Sequence, residues 1–204
     1  MAKAFSDQER VFIQKKLRNV ATEYLGKTGI RKTTVDELAS AAGISKGAFY
    51  LFYETKEELF FEVIIQYHEK VEAELVKQLE ELTEPTEQEI VAILLRLFRE
   101  VNSSFFPKFL VGGEVELLMR RVPPEKHSMH MQNDTAMVTR IVNKISGIDP
   151  ALADMYAASF RAVFLLVLHR DEIGAAYFDS VLEILISGIV HRMFSSASNG
   201  SSDR

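Results

Sequence analysis

The sequence predicts an all-α protein of about nine helices, on three observations. Apolar residues recur at three- and four-residue intervals along most of its 204 residues, the period that lines one face of a helix. Several of these runs open on a Thr followed three residues later by Glu, as in Thr34–Glu37, Thr55–Glu58 and Thr86–Glu89, which is the capping-box pattern of a helix start. Gly or Pro separates the runs, and no stretch reads as a strand or an internal repeat.

The first helix is expected over 7–26, with Val11, Leu17, Ala21, Tyr24 and Leu25 facing inward and Lys15, Lys16 and Arg18 outside. A short basic loop, 27–32, leads to Thr34. There the capping box starts a helix whose inner face carries Leu38, Ala39 and Ala42. Gly43 must end it, because glycine adopts the left-handed conformation of a tight turn. Ile44 tucks back into the core, and a second helix restarts at Ser45 with Phe49 and Phe52 inward. Ala39 is small where two crossing helices approach most closely. Cap, glycine turn and apolar positions together make residues 34–53 a helix-turn-helix.

Thr55 starts a long helix through Leu82, with Leu59, Val63, Tyr67, Val71, Leu75 and Leu79 at helical intervals. If continuous, it would extend roughly 40 Å, long enough to join two parts of a molecule. Pro85 ends it, and Thr86 with Glu89 caps a helix to about Phe106, buried through Ile90, Ile93, Leu94, Leu97, Val101 and Phe105. Pro107 and Gly112-Gly113 break the chain before a short helix holding Leu117, Leu118 and Met119, which Pro123-Pro124 stops. Further helices are expected over 125–146, 151–169 and 175–194, and SSASNGSSDR reads as a disordered tail.

Composition restricts the function classes. Hydrophobic residues make up 47% and charged residues 26%, values of an ordinary soluble globular protein. There is no cysteine, which excludes thiol catalysis, disulfides and thiolate metal sites and suits a reducing cytoplasm. The N-terminus lacks the apolar stretch of a secretory signal. The longest apolar run, 162–168, is far short of the ~20 residues that span a bilayer. His127 and His130 with Glu125 lack a second ligand cluster and do not make a metal site. His169 and His191 stand alone. No nucleophile elbow, P-loop, HExxH or dinucleotide glycine pattern occurs, so neither catalysis nor a cofactor is expected.

The net charge of −5 is unevenly spread. Residues 1–60 carry ten Lys/Arg and eight Asp/Glu, leaving fourteen and twenty-one for the rest. The acidity belongs to the C-terminal part, while Lys27, Arg31, Lys32, Lys46 and Lys56 surround the helix-turn-helix. A local cationic footprint is what meets phosphate. The outer face of the second helix, Ser45, Lys46, Gly47, Ala48 and Tyr50, is small or basic rather than alternating Glu and Lys, as suits a helix seated in a DNA groove.

Residues 34–59, with GISKGAFYLFYETKEEL in their second half, resemble the DNA-binding domain of the TetR family of bacterial repressors. Leu17, Ala21, Leu25 and Gly29 of the first helix stand at that family's spacing. The resemblance covers roughly the first third of the chain; beyond it, only length and helical character agree. It implies a helix-turn-helix DNA-binding domain over 7–53, a connecting helix over 54–82, a ligand-binding and dimerisation domain over 83–195, and the tail from 196. Lys46, Gly47, Ala48, Leu51 and Phe52 would then face bases or sugars. Thr34, Tyr50 and Lys56 would bind phosphates. Leu51 and Phe52 depart from the family, which often has a polar or larger aromatic residue where Leu51 stands and a His or Tyr where Phe52 stands. Leu51 can meet a thymine methyl but cannot hydrogen-bond a base edge, and Phe52 could equally be a core residue. The direct code is therefore thin, with Lys46 carrying most of it.

The same resemblance implies a homodimer on a pseudo-palindromic double-stranded operator and a small hydrophobic or mixed-polarity effector that releases it. Phe178, Val181, Leu182, Leu185, Ile186 and Ile189 make the last helix apolar over more than half its circumference, with Ser187-Gly188 as a point of close approach. They read as the dimer surface, or alternatively as a central core helix. Phe98, Phe105, Phe109, Met119, Met137, Tyr156, Phe160 and Phe164, with Phe106, Met129 and Met131, are adaptable side chains suited to a pocket, although each is also an ordinary core residue. The alternative function is a helical ligand-binding or adaptor protein with a weakened helix-turn-helix.

Overall fold

The computed structural model describes residues 5–121, 139, 141–143, 150–166 and 169–200. They contain eleven α-helices and one 3-10 turn, and no strand. The helices are α1 (Asp7–Lys27), α2 (Gly29–Lys32), α3 (Val35–Ala42), α4 (Lys46–Phe49), α5 (Lys56–Glu80), α6 (Glu87–Ser103), α7 (Phe106–Val111), α8 (Glu114–Arg121), α9 (Ala153–Leu166), α10 (Arg170–Ile173) and α11 (Phe178–Gly200). The count exceeds the expected nine because α2, α7 and α10 are short helices of four to six residues with too few positions to show a period. No helix among the described residues is long and apolar enough to cross a membrane.

The chain divides into two compact units, Met1–His68 with Ser104–His127, and Glu69–Ser103 with Ser128–Arg204. This differs from the division expected at 53 and 83. Residues 104–121 belong with the N-terminal helices because Phe109 and Leu118 bury in the same core as Leu17, Leu38 and Leu59. The connecting helix α5 contributes residues to both units.

In the first unit, Ile13, Leu17, Ala21 and Leu25 recur every fourth residue of α1 and are buried. They meet Leu38, Ala39 and Ala42 of α3, Phe49, and Leu59, Phe60, Val63 and Ile64 of α5. Ala39 is fully enclosed, so a larger side chain would force the helices apart. Ser6 and Glu9 form a capping box that begins α1, and Thr34 with Glu37 does the same for α3. Each cap contributes about 1 kcal/mol. The loop expected over 27–32 instead contains α2.

The second unit is built on α6, whose Ile90, Ile93, Leu94, Leu95, Phe98 and Val101 are buried. Against it pack Leu75 and Leu79, then Tyr156, Ala157, Phe160 and Val163 of α9 and Phe178, Leu182, Ile186, Val190 and Met193 of α11. Each large side chain buried here contributes about 1.5–3 kcal/mol. α6 stops at Ser103 rather than at Phe106, and α7 begins at Phe106 with Pro107 in its first turn, where a missing N–H costs nothing. The tail expected from 196 is corrected as well, since α11 continues to Gly200. Ser196 Oγ donates to Arg192 O at 2.8 Å and lies 3.2 Å from the Tyr156 hydroxyl, bonds that let a serine extend the helix. The helix expected over 125–146 lies outside the described residues except at 139 and 141–143, which are helical.

Candidate nucleic-acid interface

The Thr34 hydroxyl accepts from the Glu37 amide at 3.2 Å, and the Glu37 carboxylate accepts from the Thr34 amide at 2.7 Å. The Thr34 hydroxyl also donates to that carboxylate at 2.8 Å, and the amide and hydroxyl together hold the Glu37 carboxyl below its ordinary pKa. Gly43 sits at φ 75°, ψ 30°, and the Ile44 amide reaches back to Ala39 O at 2.9 Å. The reversal closes within one turn, as a left-handed glycine cap does. Ser45 then caps α4 by accepting from the Ala48 amide at 3.2 Å.

The turn leaves Lys46, Gly47, Tyr50 and Leu51 exposed, while Ala48 is half-buried and Phe49 lies in the core. Tyr50 and Leu51 are each 50% exposed, which is unusual for large apolar or aromatic side chains. No atom outside the local backbone comes within 4 Å of a side chain placed at Gly47. Beside this face lies a cleft of about 460 Å³ lined by Arg31, Thr34, Lys46, Tyr50, Thr55 and Lys56, with Asp36, Glu54 and Glu57 also on its walls. Hydroxyls and cations of this kind are phosphate ligands.

Two predicted contact residues have other engagements. Phe52 is half-buried, its ring 5.8 Å from that of Phe5 and beneath the Arg10 guanidinium at 5.0 Å. It therefore packs on Phe5 and on Arg10 of α1, in keeping with the core alternative that the sequence leaves open for this residue. The Lys56 ammonium donates to Ile30 O at 2.8 Å and Thr33 O at 2.5 Å. It holds the C-terminal end of α2 and is not a free surface cation, so at most one of its three protons is left for a phosphate.

Lys46 is paired with Asp36 at 2.7 Å. The hydrogen bond and charge of Asp36 raise the Lys46 pKa. Neither residue predicts the pair locally, because the turn brings them together from ten positions apart. Arg10 also escaped sequence reasoning: its guanidinium donates to Leu51 O at 3.2 Å at the end of the motif. Behind the motif, Arg18 bridges to Glu62 at 3.0 Å, and burial beside that pair raises the Tyr53 phenol above its ordinary pKa.

The other predicted residues separate between the two cores. Phe105 and Phe109 pack in the first unit, and Phe98, Tyr156, Phe160 and Phe164 in the second. Phe98 and Phe164 approach to 6.4 Å. Met119 lies on α8, and Met137 lies outside the described residues. On α11, Phe178, Leu182 and Ile186 are buried within the chain at 1%, 2% and 0% exposure. These three are corrected from dimer contacts to core, because their face of α11 packs on α6 and α9. Val181 and Ile189 are half-buried and Leu185 is exposed. Ile184, absent from the predicted set, is 70% exposed. Among the described residues no group of three His, Cys, Asp or Glu could hold a metal.

Residues 17–63 match the family model for bacterial regulatory proteins of the tetR family. Over 70 residues the chain is 39% identical to the HTH-type transcriptional regulator YerO of Bacillus subtilis (strain 168), a stretch that is 33% of this chain and 24% of YerO. The chain thus spans about a quarter of that relative's length. Among solved structures it is similar to SmeT, the repressor of the Stenotrophomonas maltophilia multidrug efflux pump SmeDEF, with TM-score 0.61 and 16% identity over 90% of this chain and 89% of SmeT. It is also similar to the transcriptional regulator FadR of Bacillus subtilis, solved with stearoyl-CoA, with TM-score 0.58 and 15% identity over 89% of this chain and 98% of FadR. At such identities the structural likeness establishes the fold, and the relatives are transcriptional regulators rather than enzymes. The tetR-family match is thus centred on the capped helix-turn-helix, and the fold is shared with SmeT and FadR along nearly the whole chain.

Proposed function

We propose that the chain is a sequence-specific DNA-binding transcriptional regulator. It acts as a repressor that leaves a pseudo-palindromic operator when a small hydrophobic or mixed-polarity molecule binds. The observation that carries this reading is the exposed face of α4, where Lys46, Gly47 and Tyr50 stand clear of the core beside a cleft of hydroxyls and cations. Lys46 leads base readout, Gly47 permits close approach, and Thr34 and Tyr50 position phosphates. Leu51 offers an apolar surface to a thymine methyl.

One such motif reads few base pairs, and two copies related by symmetry supply the second half-site. Support for a homodimer comes from exposed apolar residues at helical spacing. Met155, Ala158, Ala162 and Leu165 form one such stripe on α9, and Ile184, Leu185 and Gly188 another on α11. The effector reading draws on the aromatic side chains Phe98, Tyr156, Phe160 and Phe164 in the second unit and on the acyl-CoA bound by FadR. The protein works in the cytoplasm, where its operator is.

Lys46→Ala and Tyr50→Ala should each weaken binding to a selected duplex in gel-shift assays while leaving the sedimentation profile unchanged. The salt dependence of Lys46→Ala should be shallower by about 0.9 in log–log slope if Lys46 neutralises a phosphate. Unchanged affinity in both variants would overturn the assignment. An adaptor with a weakened motif would instead show no steep loss of duplex binding as salt rises.

A further inference from the structure

We propose that Glu114, lying far outside the helix-turn-helix in sequence, is a positioning residue for DNA reading. The proposal rests on the DNA-binding function above. Among the described residues only Thr33 and Glu114 are buried polar or charged residues, and Glu114 is 7% exposed. A buried carboxylate is costly unless hydrogen bonds compensate it. Here the compensation comes from one place. Glu114 Oε2 accepts from the Ile30 amide at 2.9 Å and Oε1 from the Arg31 amide at 3.2 Å. Arg31 returns the contact by donating its guanidinium to Gly113 O at 3.1 Å.

The receiving site is shaped for this carboxylate. Gly29 has φ +77°, and a Cβ there would run into the Glu114 carboxylate. Thr33 donates its hydroxyl to Gly29 O at 2.6 Å. Lys56 holds the carbonyls of Ile30 and Thr33. The segment 30–33 is thus fixed through its amides by Glu114 and through its carbonyls by Lys56. The next residue is Thr34, whose cap starts α3. A displacement of α2 must therefore be passed to α3, to the turn at Gly43 and to α4. Glu114 sets the angle at which the reading face is presented. It also follows α7 in a stretch that the chain enters directly from Ser103 of the second unit.

The test uses the full chain, a duplex enriched by the wild-type protein from a random library, and a scrambled duplex of the same composition. Glu114→Gln keeps the side-chain shape but removes the charge and sets an NH2 against a backbone N–H. It should lower the ratio of selected to scrambled affinity about tenfold and leave scrambled affinity unchanged. Hydrogen exchange should rise in a peptide spanning 28–33 and not in α11. Lys108→Met is the comparison, because Lys108 bonds Gly26 O and Lys27 O at the end of α1 without touching the α2 amides; its affinity ratio should stay at wild type. An equal fall of the ratio in Lys108→Met would assign the effect to stability and overturn the proposal, as would wild-type ratio and exchange in Glu114→Gln. If that variant does not fold, Glu114→Asp keeps the charge at shorter reach and should lower the ratio by a smaller factor; a wild-type ratio there overturns the proposal. Failure of the DNA-binding reading looks different. No duplex would be enriched, or Lys46→Ala would bind as wild type, and the positioning role would fall with it.

Discussion

Gly29 and Gly43 have nearly the same backbone conformation, φ 77° and 75°, and replacing each by alanine isolates what Glu114 contributes to stability. The left-handed penalty is common to both, about 1 kcal/mol for a residue with a Cβ. At Gly43 nothing else is expected, because the nearest atom to the new Cβ is Lys16 Nζ at 3.9 Å, an ordinary contact. At Gly29 the Cβ would stand 2.9 Å from Glu114 Cδ, so the carboxylate must withdraw and leave the Ile30 and Arg31 amides unpaired. Each lost buried bond costs about 1–3 kcal/mol, so the two bonds and the left-handed penalty together come to about 3–7 kcal/mol. For a chain of this length, 1 kcal/mol corresponds to about 2–4 °C of melting temperature. Gly43→Ala should therefore melt about 2–4 °C below wild type and Gly29→Ala at least about 6 °C below it. Circular dichroism at 222 nm with urea titration measures both. In a Glu114→Ala background the obstruction is gone, and Gly29→Ala should cost no more than Gly43→Ala, a coupling of about 2 kcal/mol or more. Equal destabilisation of the two single variants would refute the reasoning, because it would mean that Glu114 leaves its site without loss.

Asp36→Asn frees Lys46 from its 2.7 Å partner and removes a negative charge beside the cleft. It should tighten duplex binding several-fold at low salt, and fluorescence anisotropy showing weaker or unchanged binding would count against Lys46 as a DNA ligand. Leu182→Ala empties a core site and should lower stability by about 2–5 kcal/mol. Ile184→Glu lies on the exposed face; it should dissociate the proposed dimer in sedimentation while leaving the urea midpoint of the protomer in place. The carboxyls of Glu37 and Glu89 are held below their ordinary value near 4.5 by bonds from Thr34 and Thr86. A group depressed in the folded state stabilises above its unfolded value, and the gain is lost as pH falls through the folded one. Wild type should therefore lose its advantage over Glu37→Gln as pH falls below about 4.5, as thermal melts across pH 3–7 will show.

The helix-turn-helix was readable because its determinants are local. Thr34 and Glu37 are three residues apart, Gly43 acts on its own φ, and Ala39 and Leu38 follow helical spacing. Residues whose partners are distant were not. Lys56 reads as a surface cation until Ile30 and Thr33 come within reach, and Phe52 meets Phe5 and Arg10 only once the chain has folded. The last helix illustrates the same limit differently. Its apolar residues cover more than one face, and periodicity alone does not say that Phe178, Leu182 and Ile186 turn toward α6 and α9 while Ile184 turns outward.

The amino-acid sequence by itself determined the all-α class, the caps, the turn at Gly43 and the restart of the chain as α4, because hydrogen bonds over three or four residues and a single backbone angle decide them. Tertiary structure alone decided that residues 104–121 complete the first unit, that Asp36 holds Lys46, and that Glu114 secures α2 from 84 positions away. Those outcomes depend on which surfaces meet when helices pack. A buried carboxylate finds its amides only after the chain between them has folded.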